Sequence, residues 1–214
     1  MPEAARRRAA RRVVADDAGG DRPLWCAAST HEGEEEIAAE AHRIAQKGTH
    51  RLLLILAPRH PERGPAIRDM LAAKGFAVRL RSEAGCPDED CDVYVADTLG
   101  EMGLWYRLAP VSFVGGSLAR IGGHNPYEPA ALGSAILHGP HVHNFADIYA
   151  RLDAAAAALK VEDAAGLGET VAELMQPSRS APMAFAAWEL SSSGADVTDK
   201  AIALILEHLP DPAA

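Results

Sequence analysis

Cysteine is scarce in this chain: three residues, Cys26, Cys86 and Cys91, among 214. Their number and irregular spacing exclude a disulfide framework and a zinc ribbon, and they fit a reducing compartment. Cys26 sits in an apolar run and is expected in the core. Long apolar runs are missing too. No stretch approaches the roughly 18 consecutive apolar residues of a membrane span, and the N-terminus lacks the apolar segment of a secretory signal. Any membrane contact is therefore expected to be peripheral. Basic charge is also in deficit, with 21 Lys and Arg against 30 Asp and Glu and a formal charge of −9. That balance excludes a general nucleic-acid binder, which needs a clustered excess of Lys and Arg to neutralise phosphates. The exception is Arg6-Arg7-Arg8-Ala9-Ala10-Arg11-Arg12. This block reads either as a frayed terminus or as a contact for anionic lipid head groups.

What is present is enough apolar material, 48% of the chain, to bury a sizeable core. The reading is residues 1–22 as a basic extension and 23–214 as one domain, helical from about 145. From residue 24 onward short apolar runs alternate with amphipathic stretches, the pattern of parallel strands joined by crossover helices. Strands are expected near 24–28, 52–57, 76–81, 92–96, 111–114 and 135–138. The first helix runs from Gly33 to Lys47 and the second from Pro61 to Gly75. Helices are expected over 145–158, 164–175, 184–190 and 196–209. The fold class is thus α/β, a Rossmann-like doubly wound parallel sheet with C-terminal helices. Such sheets bind ligands outside the carboxyl ends of their strands.

The loops at those ends carry the chemistry. Ser29-Thr30-His31-Glu32-Gly33 precedes an acidic helix start, where either Ser29 or Thr30 caps the helix, or Ser29, Thr30 and His31 face a ligand while Gly33 lets it approach the backbone. Arg59 and His60 lie directly before the next helix. A guanidinium fork beside helix-start amides suits a phosphate, and an ion pair from Arg59 to Glu62 is the plainer alternative. Leu99-Gly100-Glu101 ends the fourth strand with a glycine that allows close backbone approach. Residues 114–133, VGGSLARIGGHNPYEPAALG, hold two Gly-Gly pairs, Ser117, His124, Asn125, Pro126, Tyr127 and Glu128. Their bare amides suggest a phosphate cradle. Glu128, in the first turn of a helix, has two acceptor oxygens for a ribose diol or can simply serve the helix dipole. His138, His141 and His143 suggest loop rigidity or hydrogen bonds to an anion more than a metal site, since Asp147 has a sufficient role at a helix start.

Read together, Ser29-Thr-His-Glu-Gly-Glu-Glu35, Pro58-Arg-His-Pro-Glu-Arg63, Asp97-Thr-Leu-Gly-Glu101, Val114-Gly-Gly-Ser117, Gly122-Gly-His-Asn-Pro-Tyr-Glu-Pro129 and His138-Gly-Pro-His-Val-His-Asn-Phe145 resemble the C-terminal half of the 3-deoxy-D-manno-octulosonic acid (Kdo) transferases. The resemblance covers residues 24–150 and implies the donor half of a GT-B glycosyltransferase. It implies a CMP-Kdo ligand held by Pro58, Arg59, Leu99, Gly100, Glu101, Asn125, Pro126, Tyr127 and Glu128. Ser29, His60, Ser117 and His124 are supplementary candidates from position. It further implies a metal-independent, cofactor-free enzyme of lipopolysaccharide biosynthesis, peripheral on the cytoplasmic face of the bacterial inner membrane, that transfers Kdo to a lipid A precursor. The family's N-terminal domain, with its acceptor site and general base, has no counterpart in these residues, so the chain alone is expected to bind donor without transferring Kdo. A nucleotide-sugar epimerase of the same architecture and a non-catalytic nucleotide-binding module stay open as alternatives.

Overall fold

The computed structural model describes residues 22–84 and 87–208, with side chains described to residue 192 except at position 84. The basic block at 6–12, Cys86 and Leu209 lie outside the described residues. Seven parallel strands form one sheet: β1 (Leu24–Thr30), β2 (Leu53–Pro58), β3 (Val78–Leu80), β4 (Val93–Val95), β5 (Val111–Val114), β6 (Ala135–His138) and β7 (Ala158–Lys160). Their spatial order is β3-β4-β2-β1-β5-β6-β7. The helices are α1 (Glu34–Gln46), α2 (Gly64–Ala73), α3 (Arg81–Ala84), α4 (Met102–Leu108), α5 (Tyr127–Ala131), α6 (Ala146–Ala154), α7 (Ala164–Leu174) and α8 (Pro177–His208).

The apolar runs are continuous because both faces of the sheet are covered. Trp25 and Ala27 of β1, Leu54 and Leu56 of β2 and Phe113 of β5 point to one side, into a core shared with Ala38, Ala41 and Ala45 of α1, Ile67 and Leu71 of α2 and Leu167 and Val171 of α7. The intervening Leu24, Cys26, Ala28, Leu53 and Ile55 point to the other, against Trp105 and Tyr106 of α4. Val114 and Ile136 meet Tyr149 and Leu152 of α6 and Ala187 of α8. Cys26 is fully buried, and burial pushes its thiol well above the ordinary range.

The expected boundaries fail at the C-terminal end. The helix expected over 145–158 stops at Ala154, and residues 158–160 form a seventh strand beside β6, through the pairs Ile136–Ala158 and His138–Lys160. The stop is a Schellman turn: Ala157 N–H donates to Leu152 O at 2.8 Å and Ala156 N–H to Asp153 O at 3.0 Å, with Ala156 at φ 52°. The helices expected over 184–190 and 196–209 are one helix, α8, with Pro182 inside it.

Helices α1 and α7 pack so closely that Gly168 is required between them. A Cβ there would stand 2.6 Å from Ala41 O and 2.8 Å from Ile44 Cβ. Gly168→Ala gains helix propensity of about 1 kcal/mol and loses about 1–3 kcal/mol to overpacking. The expected result is a net loss near 1 kcal/mol, measurable as a lower urea midpoint at unchanged slope.

Candidate functional site

The chain leaves β1 for β2 on one side and, after β4, returns to β5 on the other. The β1–β5 boundary is therefore the switch point at which an open α/β sheet forms its crevice. Across the carboxyl edge, the loops following β4, β2, β1, β5 and β6 stand in that order. The ends of β1 and β5 nearly touch: a Cβ on Gly115 would lie 2.5 Å from Ser29 O. Ser29 itself takes φ 54°, at the irregularity where β1 shifts register against β2. A non-glycine residue held in the left-handed region costs about 1–3 kcal/mol and marks an over-determined backbone.

The Gly-Gly-Ser turn after β5 has its amides occupied from within the protein. Glu34, the first residue of α1 and 1% exposed, accepts from Gly116 N (2.7 Å), Ser117 N (3.0 Å), Leu118 N (2.9 Å), Ala119 N (3.1 Å) and His31 N (2.9 Å). This corrects the phosphate-cradle reading of the turn: the seat is an anion seat, and a carboxylate of the same domain holds it. Ser117 is fully buried, its hydroxyl donating to Val114 O at 2.5 Å and accepting from Gly139 N at 2.8 Å, so its hydrogen bonds are spent on the turn. Helix α1 is preceded by Gly33 with no side-chain cap, so neither Ser29 nor Thr30 caps it. Glu35 is equally buried and pairs with Arg63 at 2.6 Å, tying α1 to the loop after β2.

Above this turn lies a group of cationic and imidazole side chains from three loops. His31 and His124 meet edge to edge, with Nε2 atoms 2.8 Å apart, ring centroids 5.1 Å apart and ring planes within 7° of parallel. His60 meets the edge of His31 with ring centroids 6.1 Å apart. Gly116, at φ 70°, makes room for the pair, since a Cβ there would be 3.2 Å from the His124 ring. Both paired histidines titrate below their ordinary value, chiefly because burial disfavours the charged form, and both feel the charge of Arg59. Pro58 is the buried last residue of β2, and Arg59 N–H donates to Thr30 O at 2.9 Å, which fixes where the exposed Arg59 side chain starts. Glu62 lies 3.5 Å from His60, so the expected Arg59–Glu62 pair is not formed. Among the described residues Arg59 and Arg120 are the arginines whose side chains have no hydrogen-bond or ion-pair partner, and both are exposed on loops at this edge.

On the other side of Arg59, the loop after β4 is braced. Arg81 grips Glu101 in a two-point fork at 2.9 and 3.0 Å, and Thr98 adds a hydroxyl bond to the same carboxylate. Those bonds hold the Glu101 carboxyl below its ordinary value. Asp97 accepts from Ser82 N and Oγ. The tip is left bare: Gly100 has φ 82° and Leu99 is 84% exposed. Asn125 Oδ1 accepts from Tyr127 N at 3.0 Å, opening α5, and Pro126 is buried. Helix α5 packs on α4, and Glu128 is exposed with its charge felt by buried Tyr106. Tyr149 Oη donates to His124 O at 2.9 Å and holds the stretch before Asn125 in place.

The fold thus gathers Arg59, His60 and His124 at the switch point, with Leu99–Glu101 and Asn125–Glu128 on loops leading into the packed α4–α5 pair. Ser117 lies beneath the turn. Of the histidines after β6, His138 is buried, bonded to Gly139 O at 2.7 Å and Asp153 at 3.0 Å. Among the described residues no three His, Cys, Asp or Glu side chains group as a metal site. Sequence reasoning missed Glu34 and Arg81. Glu34 stands in a run of three glutamates where the helix dipole is explanation enough, and no local signal marks Arg81.

No family model matches the chain. It is 40% identical over 159 residues to a 3-deoxy-D-manno-octulosonic acid transferase of Haemophilus influenzae, covering 74% of this chain and 37% of that protein. It is 41% identical over 184 residues to the transferase of the same name from Bordetella pertussis, covering 81% and 42%. The chain therefore spans about two fifths of the length of these curated relatives. Its fold matches the crystal structure of the C-terminal CMP-Kdo binding domain of WaaA from Acinetobacter baumannii with a TM-score of 0.80 and 30% identity, over 87% of this chain and 97% of that one.

Proposed function

The chain belongs to the 3-deoxy-D-manno-octulosonic acid (Kdo) transferase family, and from that premise we propose that it binds CMP-Kdo along the carboxyl edge of its sheet as the donor half of a metal-independent enzyme that transfers Kdo to a lipid A precursor. The observation that carries the reading is the unpartnered guanidinium of Arg59 at the switch point, in a chain where buried carboxylates are already satisfied. A phosphate there receives a two-point charge-assisted contact. The Arg81–Glu101 fork holds the β4 loop so that Leu99 and Gly100 present backbone to the nucleoside, and Glu128 offers its exposed carboxylate to the ribose diol.

In the reaction the acceptor hydroxyl attacks the anomeric carbon of Kdo, the bond to the phosphate oxygen breaks, and CMP leaves with the electron pair. Arg59 stabilises the charge that grows on that oxygen. The general base that takes the hydroxyl proton is a group within hydrogen-bond reach of the acceptor, a role that the matched motifs assign to none of these residues. A peripheral position on the cytoplasmic face of the inner membrane completes the proposal. Among the described residues no helix is long and apolar enough to cross a membrane, which agrees with it.

Calorimetric titration with CMP, UMP and UDP tests the donor assignment. CMP is expected to bind, and Arg59→Ala to weaken it about ten- to hundredfold, the worth of a charge-assisted contact of about 1.5–3 kcal/mol. Cytidine, which lacks the phosphate, is expected to bind both forms alike. Tight UDP binding without CMP binding overturns the assignment.

A further inference from the structure

We propose that His31 and His124 act as one proton-accepting unit that becomes a cation when a phosphate dianion binds beside Arg59, so that this site favours the leaving nucleotide over the intact donor. The inference rests on the donor-binding reading above and adds to it a pair of groups for the departing charge.

The geometry supplies the argument. A hydrogen bond between two Nε2 atoms 2.8 Å apart requires that one ring donate and the other accept. In the neutral pair the accepting ring carries its proton on Nδ1, and the donating ring has an unprotonated Nδ1. Either assignment leaves one free nitrogen. A third proton, from water, goes to that nitrogen and leaves the bridge intact, now between an imidazolium and an imidazole. A fourth would set two N–H groups head to head. The pair therefore takes up one proton as a unit.

Its surroundings hold that proton off until an anion arrives. Glu34 and Glu35 of α1 face His31 and favour its charged form, while Arg59 and His60, from the loop after β2, oppose it. Around His124, His31 and Arg59 oppose the charge and Glu34 favours it. The two carboxylates are already engaged, Glu34 by five backbone amides and Glu35 by Arg63. Burial, the largest influence on both rings, also disfavours the charged form and holds both below the ordinary imidazole value. A phosphate on Arg59 reverses the balance.

The phosphate of the donor is a diester with a single negative charge, separate from the carboxylate of Kdo, whereas the phosphate of the departing CMP is a monoester whose second ionisation lies near pH 6. As the bond to Kdo breaks, the second charge appears on the phosphate, and the pair's affinity for a proton rises with it. Stabilisation that grows along the reaction is the kind that lowers a barrier.

Calorimetry of CMP binding in two buffers of unlike ionisation heat measures the proton. At pH 7.5 the whole chain is expected to take up close to one proton per CMP, and affinity to fall about tenfold per pH unit between pH 7 and 8. His31→Gln and His124→Gln are expected to abolish the uptake and flatten that slope while still binding CMP. His50→Gln, at the opposite end of the sheet, is expected to retain it. CMP binding without proton uptake in the wild type, or undiminished uptake in both glutamine variants, overturns the proposal. If CMP does not bind at all, the donor reading fails by itself, and inorganic phosphate decides the pair. Histidine ring 15N shifts that move one ring of the pair to imidazolium with phosphate at pH 7.5 support it, and unchanged neutral tautomers overturn it.

Discussion

Glu34→Ala is expected to cost about 4 kcal/mol of stability. The carboxylate accepts four amides of the turn after β5 and one of the turn after β1, and it is 1% exposed. Of those amides, Gly116 and Ser117 are buried, whereas Leu118 and Ala119 are within partial reach of water. Each buried donor left without a partner costs about 1–3 kcal/mol, so the two buried amides account for most of the loss. The helix dipole adds a smaller amount, because a negative charge is removed from the first turn of α1. Glu34→Gln separates these effects: it keeps one acceptor oxygen, removes the charge, and sets an NH2 group against amide donors. The glutamine variant is expected to fall between wild type and alanine in urea unfolding. CMP affinity should drop in both, because Gly116 supports the His31–His124 pair and its turn loses its anchor. Loss below 1 kcal/mol in the alanine variant would mean that water replaces the carboxylate at no cost.

That anchor also shows where sequence reasoning stops. The strands were legible because a parallel sheet buried on both faces leaves continuous apolar runs, as in Leu53–Pro58, where each residue is buried. The placement of Arg59 was legible because the apolar run of β2 ends at Pro58 and Pro61 opens the next helical turn, which leaves Arg59 at the carboxyl edge. The pairing of His31 with His124 joins loops 93 residues apart and depends on β1 lying beside β5, which no local pattern specifies. Glu34 was hidden by chemistry shared with its neighbours: any of three glutamates satisfies the helix dipole, but only the one on α1's first position reaches the turn. The strand β7 was hidden by composition. Ala154–Ala158 is strongly helix-favouring, and its helix stop uses Ala156 at φ 52° where glycine is the usual signal. Tertiary pairing with the free edge of β6 overrides the local preference.

The second large effect lies at the far end of α1 and is expected as an acid instability centred on His42. The side chain is fully buried, Nδ1 accepts from Trp25 Nε1 at 3.1 Å, and Nε2 faces the Asp92 backbone without a formed hydrogen bond. Burial, partly offset by Asp92, lowers its pKa from 6.5 to about 4. Above pH 6.5 the folded and unfolded chains bind the same proton number at this residue, and no stability depends on it. Below, the unfolded chain takes up a proton that the folded chain refuses, so stability falls with pH by about 1.4 kcal/mol per unit down to pH 4. The expected loss is about 2 kcal/mol between pH 6.5 and 5, before most carboxylates titrate, and about 3 kcal/mol by pH 4. His31 and His124 contribute in the same direction but are more exposed. His42→Gln keeps an acceptor for Trp25 and cannot titrate. Its urea stability is expected to decline less between pH 7 and 5 than that of the wild type, the difference being one proton's slope, with the residual decline left to His31 and His124. An equal decline in both proteins would place the acid sensitivity elsewhere, and a steeper one in the variant would show that the imidazole stabilises the fold as a cation.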